Sequence, residues 1–367
     1  MTIGIDARLW SQTGVGRYIK NLVTNLHNLD KKNSYVLFVT KKDFPEVEKQ
    51  IRNKNWKIVV VNISWHSISE QIKLPSLIKK EKVDLMHFPY FNVPIFVSVP
   101  FVVTIHDLIY HHFVSGKAST QPLWLYGFKM IAYRFVVHVT AKKAKKIIAV
   151  SNSTKNEIMD HLKIKQEKIE VTYEAADDLK KSNKKITLDN YFLFVGNVYP
   201  HKNVDTLIRA FKKVASRKDV KLLFVGREDF SYKKLKKKVS DLESSGNLIF
   251  KQDVDDDTLA SYYKNAICLV RPSHMEGFSL PPLEAIANEC LVIASEIPVH
   301  REIFGDSIIY FNSQDENDLA AKMTKLLSMD KKEKEQRIKK GVEKAKEFSW
   351  ERTARQTLKI YESSLGL

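Results

Sequence analysis

The sequence predicts an α/β protein with two domains, each built on a doubly wound parallel sheet. Short runs of branched and aromatic apolar residues alternate with helical patterns, an order that produces parallel strands joined by helices. This alternation begins again at residues 191–195, after the polar, lysine-rich stretch 174–190. A length of 367 residues also favours two domains. We expect domains at 1–180 and 186–348, with 349–367 returning to the first.

The first half opens with a strand, a glycine-containing turn and a helix. Residues 2–8 alternate apolar and polar side chains, and Gly14 and Gly16 open a helix that runs to about Leu29. Such a turn favours phosphate binding, and tight-turn geometry is the structural alternative.

A dinucleotide site is disfavoured in this first unit. The third glycine position holds Ile19, and the next strand, 35–39, ends in Thr40-Lys41 where a ribose-binding acid is needed.

The rest of the first half continues the βα pattern. We expect strands at 57–63, 83–88, 101–105, 147–150 and 169–172, and helices at 68–80 and 128–146. His106 and Asp107 directly follow the strand 101–105. Because ligands bind at the carboxyl ends of parallel strands, His106 is a site candidate, and a structural histidine is the alternative.

Two stretches of the first half suggest contacts with other molecules. Residues 111–125 show no clear period and are interpreted as a mobile loop on the acceptor side. The helix 128–146 combines apolar residues with lysines and Arg134. It suits either an anionic membrane surface or an ordinary buried face with a solvated lysine end.

The second half begins with the strand 191–195, followed by a loop from Gly196 and Asn197 to Lys202 and by a helix at 205–215. The strand 221–225 ends at Gly226-Arg227, where Arg227 adds charge near a phosphate site. The lysine run in the helix after it is interpreted as a solvated face.

Two glutamates bracket a turn in the stretch HMEGFSLPPLEAIA, residues 274–287. Pro282 suits the first turn of a helix and Ser279 suits its cap, which places Glu276 in a loop and Glu284 in the helix. The turn between them contains Gly277, and the N–H groups of residues 278–280 (Phe278, Ser279 and Leu280) precede the helix. Helix N-termini attract phosphate groups, and carboxylate oxygens accept hydrogen bonds from hydroxyl groups. A nucleotide sugar fits both, and a well-capped helix is the structural alternative.

The acidic run 253–257 suggests a metal site of the Asp-x-Asp kind, which we reject. The run directly precedes a helix at 258–264, where aspartates act as caps. We expect no cofactor and no metal.

The segment EGFSLPPLE resembles the signature of retaining glycosyltransferases of the GT-B class, family 4. Four further segments resemble that family in its order: GIDARLWSQTGVGRYIKNL, TIHDL, FVGNVYPHKNVDTLIRAF and FSWERTARQTLKIY. The resemblance implies two Rossmann-like domains facing across a cleft, with a C-terminal helix crossing back to the first domain.

The resemblance also implies roles for individual residues. Gly14 and Gly16 line the cleft beside the donor phosphate, and His106-Asp107 lies against the transferred sugar and the acceptor. The loop from Gly196 reaches the diphosphate through Lys202, although Asn197 stands where the family often has arginine. The segment around Val254 lies under the nucleobase.

The reaction implied is metal-independent hexosyl transfer from a nucleotide sugar, with retention of configuration, to a hydroxyl of a glycan or lipid-linked acceptor. Glu276 positions the sugar, Glu284 holds the ribose, and Lys202 with the N–H groups of 278–280 stabilises the leaving diphosphate. The TGVGRY and GNVYPHKN segments resemble the mannosyltransferase branch, which favours GDP-mannose. UDP-glucose, UDP-GlcNAc and GDP-fucose remain alternatives.

The composition limits the possible partners and the cellular location of the protein. A net charge of +17 suits phosphorylated substrates, anionic lipid or nucleic acid. The lysines are dispersed without an aromatic-interleaved motif, which disfavours nucleic acid. The chain has only two cysteines, which suits a reducing cytosol. Asp6 and Arg8 interrupt the N-terminal apolar run and argue against a signal peptide. No apolar tract suits a membrane span. We expect a cytoplasmic protein, peripheral on the membrane at most, and leave its oligomeric state open.

A glycosidase using Glu276 and Glu284 is a further alternative. Retaining hydrolysis needs two carboxyl groups about 5 Å apart across one bond. A loop residue and a helix residue do not suit that arrangement.

Overall fold

The computed structural model describes residues 1–65, 67–113, 123–176, 184, 186–216 and 218–367, without the side chains of 123–126. These residues form two compact units. The N-terminal unit holds residues 1–111, 123–174 and 349–367, and the C-terminal unit holds 112–113 and the described residues from 175 to 348.

The N-terminal unit is built on a parallel sheet, which has seven strands among the described residues. The strands are β1 (Thr2–Asp6), β2 (Ser34–Val39), β3 (Trp56–Val60), β4 (Leu85–Phe88), β5 (Phe101–Ile105), β6 (Lys146–Ala149) and β7 (Ile169–Val171), in the spatial order β3-β2-β1-β4-β5-β6-β7. Nearly all of their apolar side chains are buried, as expected for a sheet covered on both faces.

Helices cover this sheet. They are α1 (Gly14–Leu29), α2 (Phe44–Gln50), α3 (Ile68–Lys80), α4 (Ile109–His112), α5 (Leu123–Lys143), α6 (Asn152–Leu162) and, from the end of the chain, α15 (Trp350–Ser364). The apolar core on one face of the sheet draws on α3, α5 and α6, whereas α15 packs against α1. Polar contacts tie α15 to the sheet: Tyr361 Oη lies 2.6 Å from His87 Nδ1, and His87 Nε2 lies 2.8 Å from Thr104 Oγ1.

The C-terminal unit repeats the plan with a parallel sheet of six described strands. They are β8 (Tyr191–Val195), β9 (Lys221–Val225), β10 (Leu248–Lys251), β11 (Cys268–Arg271), β12 (Val292–Ser295) and β13 (Ile309–Phe311), in the order β10-β9-β8-β11-β12-β13. The helices are α7 (Val204–Ala215), α8 (Phe230–Lys238), α9 (Ser240–Ser244), α10 (Asp256–Asn265), α11 (Leu280–Ala287), α12 (Pro298–Phe304), α13 (Glu316–Leu327) and α14 (Lys331–Ala345).

Each sheet reverses its direction of winding at one place. The reversal lies between β1 and β4 in the N-terminal unit and between β8 and β11 in the C-terminal unit. Loops that leave adjacent strands on opposite sides of such a switch point form a crevice at the carboxyl ends of the strands. The fold therefore directs attention to the loops after β8 and β11.

The predicted two-sheet α/β fold is confirmed, and several boundaries differ from the sequence-based expectations. The strand expected at 57–63 ends at Val60, because its neighbour β2 ends at Val39 and the two residues pair. The helix expected at 128–146 begins at Leu123 and ends at Lys143, since Lys146 already pairs with Val102 in the sheet. Strands β10 and β13 were not predicted.

Parts of the expected acceptor-side loop lie outside the described residues. His111 and His112 belong to α4, whereas 114–122, including Lys117, and the side chain of Trp124 are not described. Most of the expected linker, including Asp177-Asp178, lies outside the description as well.

Among the residues that the structure describes, none of the helices has the length and apolar character needed to cross a membrane.

Candidate active site

The loop after β8 is fixed in shape by backbone and amide contacts. Gly196 has φ of +129°, and Asn203, at the end of a single 3-10 turn, has φ of +53°. The side-chain amide of Asn203 donates to the carbonyl oxygens of Pro272 (3.0 Å) and Ser313 (2.9 Å). The loop that carries Lys202 is thus held against the end of β11.

Glu276 lies at the centre of a buried ionic cluster formed by these two loops. Its Oε2 accepts from Lys202 Nζ at 2.7 Å, and its Oε1 accepts from Arg271 Nε at 2.7 Å and Ser273 Oγ at 2.6 Å. Glu276 is 8% exposed. Burial alone would raise the pKa of Glu276, but the charges of Arg271 and Lys202 hold that pKa well below its usual range.

Arg271 was not among the residues predicted from the sequence. Besides binding Glu276, its Nη1 donates to the carbonyl oxygen of Val195 at 2.9 Å. A Cβ built on Gly196 would lie 3.1 Å from that same nitrogen, so the guanidinium lies directly against the loop after β8. The available signal was a charged residue in an otherwise apolar strand, one position before Pro272.

Two histidines beside this cluster are neutral at pH 7. Burial lowers the pKa of His201 to about 3 and that of His300 to about 4. Two cations and one carboxylate therefore leave the cluster with one net positive charge. Such a charge at the carboxyl ends of β8 and β11 suits an anionic ligand.

Asn197 lies in the loop at the point where the resembled family often has arginine. Among the described residues, its Oδ1 is one of the few buried side-chain oxygens without a hydrogen-bond partner. A buried carbonyl oxygen without a hydrogen-bond partner is costly, and a donor group of a ligand would satisfy it. Arg227, expected to add charge here, is exposed just beyond β9.

The glycine before Arg227 is enclosed on two sides. A Cβ on Gly226 would lie 2.4 Å from the carbonyl oxygen of Gly196 and 2.3 Å from Tyr232 Oη. Tyr232 Oη in turn donates to that carbonyl at 2.7 Å. The loops after β8 and β9 therefore approach one another closely at this point.

The N-terminus of α11 follows the predicted turn, but the cap differs from the expectation. Ser279 occupies the N-cap position in the left-handed region (φ +79°), and its side chain makes no capping hydrogen bond. Its hydroxyl instead lies 3.1 Å from Nε2 of His300, whose Nδ1 donates to the Ser295 carbonyl at 2.8 Å. Gly277, Phe278 and Leu280 occupy the predicted turn and helix start.

The remaining predicted donor-side residues are placed in different surroundings. Glu284 is buried in α11 and accepts from Tyr263 Oη at 2.8 Å. Val254 is half-buried in the loop before α10. Asp255 is the N-cap of α10, where its side chain accepts from Thr258 N at 2.7 Å, so the expected capping role in the acidic run is confirmed.

In the N-terminal unit, Gly14 and Gly16 stand at the start of α1 without left-handed backbone angles. The tight-turn alternative is therefore wrong for them. A Cβ on Gly16 would lie 2.5 Å from the Trp10 carbonyl oxygen, so this glycine permits close backbone approach, whereas Gly14 faces open space. Both lie at the start of the helix that follows β1, one of the two strands at the switch point.

His106 follows β5 and is held at both ring nitrogens. Nδ1 lies 2.9 Å from Glu174 Oε1, and Nε2 lies 3.0 Å from the Pro89 carbonyl oxygen. Both partners are oxygen acceptors, an arrangement that favours a proton on each ring nitrogen. Burial alone would lower the pKa of His106, but the hydrogen bond and charge of Glu174 raise it overall. The neighbouring Asp107 caps α4 by accepting from Ile109 N at 3.0 Å.

The predicted site residues thus fall into two groups, one in each unit. Lys202, Gly196, Asn197, Gly277 and Glu276 come together around the β8–β11 switch point, and His106 forms a second group with Glu174 and Pro89. Glu174 was not predicted, because its position after β7 resembled the start of the linker.

Comparison with known proteins identifies the family. The profile described as Glycosyl transferases group 1 matches residues 175–345, and the profile Glycosyltransferase Family 4 matches residues 12–178. The O-antigen chain mannosyltransferase RfbU of Salmonella typhimurium is 31% identical over 255 residues, which cover 69% of this chain and 67% of that protein. This chain belongs to glycosyltransferase family 4. It is therefore a glycosyltransferase enzyme.

Solved structures agree at the level of the fold. Sucrose-phosphate synthase from Thermosynechococcus elongatus superposes with a TM-score of 0.79 at 19% identity, covering 99% of this chain and 98% of the other. Anabaena Alr3699/HepE, solved in complex with UDP-glucose, superposes with a TM-score of 0.76 at 14% identity over 99% and 100% of the two chains. Both likenesses support the GT-B fold class for this glycosyltransferase.

Proposed function

We propose that this glycosyltransferase transfers mannose from GDP-mannose, with retention of anomeric configuration and without a metal ion, to a hydroxyl of a glycan or lipid-linked acceptor. The observation that carries the proposal is the Lys202–Glu276–Arg271 cluster at the β8–β11 switch point. The mannosyl donor is favoured by the likeness to an O-antigen chain mannosyltransferase.

The leaving group poses the main chemical problem in such a transfer. A nucleoside diphosphate gains negative charge as the bond to the sugar breaks, and fixed cations stabilise that charge best in a desolvated site. The ammonium of Lys202 lies in the loop after β8 against Glu276, and an ammonium is a compact positive charge that suits a phosphate oxygen. We place the diphosphate against Lys202, with Arg271 behind it and the backbone at 278–280 beside it.

Glu276 has a positioning role in this scheme. Its low pKa keeps it ionised, so it cannot serve as a general acid at neutral pH. Oε1 receives Arg271 and Ser273, while Oε2 receives Lys202. A carboxylate oxygen offers two acceptor sites. We assign the second site of Oε2 to a hydroxyl of the donor sugar.

Asn197 and His106 complete the proposal. An amide group turned about its terminal bond presents either a donor or an acceptor, so Asn197 would bind a phosphate oxygen or a sugar hydroxyl. His106, with both ring nitrogens engaged, suits a role in fixing the backbone at residues 89 and 106 near the acceptor more than a role as a base. Glu284 and Val254 stay assigned to the ribose and nucleobase.

The experiment is a donor panel with the full chain. Calorimetric titration with GDP-mannose, GDP-fucose, UDP-glucose and UDP-GlcNAc, each with EDTA, should give binding for GDP-mannose alone. A ligand at 100 times its dissociation constant should stabilise the protein by about 2.7 kcal/mol, which a thermal melt checks independently.

Product analysis then tests the stereochemistry. The anomeric configuration of the new linkage, determined by NMR, should match that of the donor. Binding of a UDP-sugar instead would replace the donor, an inverted product would refute retention, and loss of binding in EDTA would refute the metal-free scheme. Duplex DNA serves as the control polyanion for the net charge of +17.

A further inference from the structure

Exposed apolar side chains are distributed very unevenly between the two units. Among the described residues, eleven large apolar side chains are exposed, and ten of them belong to the N-terminal unit, with Phe230 as the exception. Solvent-exposed apolar residues scattered singly need no explanation, whereas a concentration on one part of a protein indicates an interaction surface.

Helix α5 is apolar on both its buried and its exposed sides. Met130 and Val137 face the core, whereas Ile131 and Phe135 are 68% and 59% exposed and lie one turn apart on the outer side. Phe128, 67% exposed, extends the same row. The basic amphipathic helix expected from the sequence is therefore wrong in one respect, since apolar side chains occupy its outer face too. Exposed apolar side chains in a row on a helix that also carries basic residues are typical of a helix that lies at an interface.

A second exposed apolar group lies on the same side of the sheet. Ile68 and Ile72 of α3 are 83% and 62% exposed, and Phe96 is 70% exposed. Ile72 and Phe96 line one shallow groove. Helices α3 and α5 both contribute to the core on one face of the sheet, so their outer sides face the same way.

A loop joins the two groups into one surface. The backbone N–H of Ile95 donates to Gln71 of α3 at 2.8 Å, and the carbonyl of Ile95 accepts from Lys143 of α5 at 2.8 Å. We define the apolar face by Ile68, Ile72, Phe96, Ile131 and Phe135.

Basic residues border this face and outnumber the carboxylates on its two helices. Residues 85–156 contain eight lysines and arginines and one carboxylate, Asp107. The only acid of α3 is Glu70, which is buried and paired with Arg8 at 2.5 Å, and α5 has none. Exposed cations lie at Lys73, Lys79, Lys80, Arg134 and Lys142.

We infer that the apolar face docks on a lipid bilayer that contains anionic headgroups. Aromatic and aliphatic side chains would enter the interface between headgroups and acyl chains, while the surrounding cations bind the headgroups. A partner protein of ordinary surface composition would meet this excess of positive charge without matching acids. The surface carries charge complementarity to an acidic membrane, and this proposal stands independently of the donor proposed above.

The test is vesicle flotation with the full chain, without nucleotide. Vesicles of phosphatidylcholine mixed with phosphatidylglycerol should bind the protein at low salt, and vesicles of phosphatidylcholine alone should not. Binding should weaken by about tenfold or more when the salt concentration is raised well above 0.1 M, where the screening length falls below about 10 Å.

Paired variants locate the contact. Ile131→Ser with Phe135→Ser, and separately Ile72→Ser with Phe96→Ser, should each weaken vesicle binding by about tenfold, since each removes most of one apolar group. Lys79→Gln with Lys142→Gln should lower binding to the anionic vesicles. The matched control is Phe230→Ser, an exposed phenylalanine of the other unit, which should bind as the parent does.

Each contrary result overturns the proposal. The first is that the parent protein does not bind anionic vesicles at low salt. The second is that the paired variants bind these vesicles as well as the parent does. The third is that Phe230→Ser weakens vesicle binding as much as the paired variants do. Light scattering supplies the remaining contrary result: a parent dimer that the Ile131/Phe135 variant converts to monomer, with no vesicle binding, would make the face an interface between two copies. Thermal melts of the variants should match that of the parent, because the substituted side chains are exposed.

Discussion

At the scale of single residues, Arg271 supplies a cation that a comparison of sequence motifs does not reveal. Its guanidinium lies against Gly196 and holds Glu276, one loop away from the position at which Asn197 replaces the family's usual arginine. The positive charge that is missing at Asn197 is thus supplied by the guanidinium of Arg271, which lies against the neighbouring Gly196.

We predict that Arg271→Gln lowers kcat by about 100-fold or more, because it removes a buried cation beside the leaving group and leaves Glu276 less firmly held. Steady-state transfer with GDP-mannose measures it. Arg209→Gln, an exposed arginine of the same unit paired with Glu316, should stay within about threefold. A similar, small effect of both substitutions would contradict the role of Arg271.

The pair formed by His106 and Glu174 predicts a pH-dependent stability. The pKa of His106 is raised in the folded protein, so the pair stabilises the fold fully below the ordinary histidine pKa of about 6.5, and that stabilisation is lost as the pH rises through the raised value. Glu174→Gln should therefore cost about 1–3 kcal/mol below pH 6.5 and progressively less above it.

Thermal melts of the Glu174→Gln and parent proteins across a pH series measure this difference. A difference that does not change with pH would mean that His106 is neutral in the fold. Glu167→Gln, an exposed acid of the preceding turn, is the control and should show no such trend.

The sequence predicted part of this residue-level chemistry. Glu276 and Lys202 come together as expected, because both follow strands at the switch point of a parallel sheet. Glu174 was missed, since its contact with His106, 68 positions away, leaves no local pattern. Arg271 lies only five positions before Glu276, and its charge in an otherwise apolar strand was the local signal that was overlooked. The sequence can indicate a site residue, but the residues that form ion pairs with it become visible only in the folded structure.

At the scale of secondary structure, helix α15 shows how the end of the chain is fixed to the N-terminal sheet. Tyr361 is fully buried and contacts His87, which burial keeps neutral by lowering its pKa to about 3. His87 also contacts Thr104, so one imidazole joins α15 to β4 and β5. A neutral ring has one donor and one acceptor nitrogen, and both are used here.

Tyr361→Phe should lower the free energy of unfolding by about 1–3 kcal/mol, because it leaves Nδ1 of His87 buried without a partner. Chemical denaturation monitored by fluorescence measures the loss. Tyr110→Phe, at a half-exposed tyrosine, should change stability by no more than about 0.5 kcal/mol. Equal stability of Tyr361→Phe and the parent would show that the hydroxyl contact is dispensable.

Element boundaries show where local patterns stop being informative. The positions of β5, β8 and β9 were predicted to the residue, since each is a compact apolar run beside a turn. The ends of β3 and α5 were not, because the length of a neighbouring strand and the pairing of Lys146 decide them. These limits come from tertiary contacts rather than from propensity.

At the scale of the whole molecule, the two units divide the expected chemistry. The cluster with net positive charge belongs to the C-terminal unit, and the apolar face belongs to the N-terminal unit. Binding of a nucleotide and binding of a membrane should accordingly be separable in experiments on the intact chain.

Hydrogen exchange with GDP tests that separation. We predict slower exchange at 196–203 and 271–280, the two segments that carry the cationic cluster, because bound diphosphate restrains their backbone. Strands β2 and β3, which belong to the sheet of the N-terminal unit and not to the sheet that carries the cluster, provide the internal control. Protection that spares 196–203 and 271–280 would move the nucleotide site away from the cluster, and addition of EDTA should leave the pattern unchanged.

The close approach at Gly226 has a consequence for altering donor preference by directed evolution. Even alanine at this position would collide with a backbone oxygen and a buried tyrosine hydroxyl, whatever sugar nucleotide is supplied. A randomised library should therefore lose every substitution at 226 through misfolding, yet retain diversity at the adjacent exposed position 227. Libraries built to change selectivity gain more from randomising 197 and 227 together, with 226 kept as glycine.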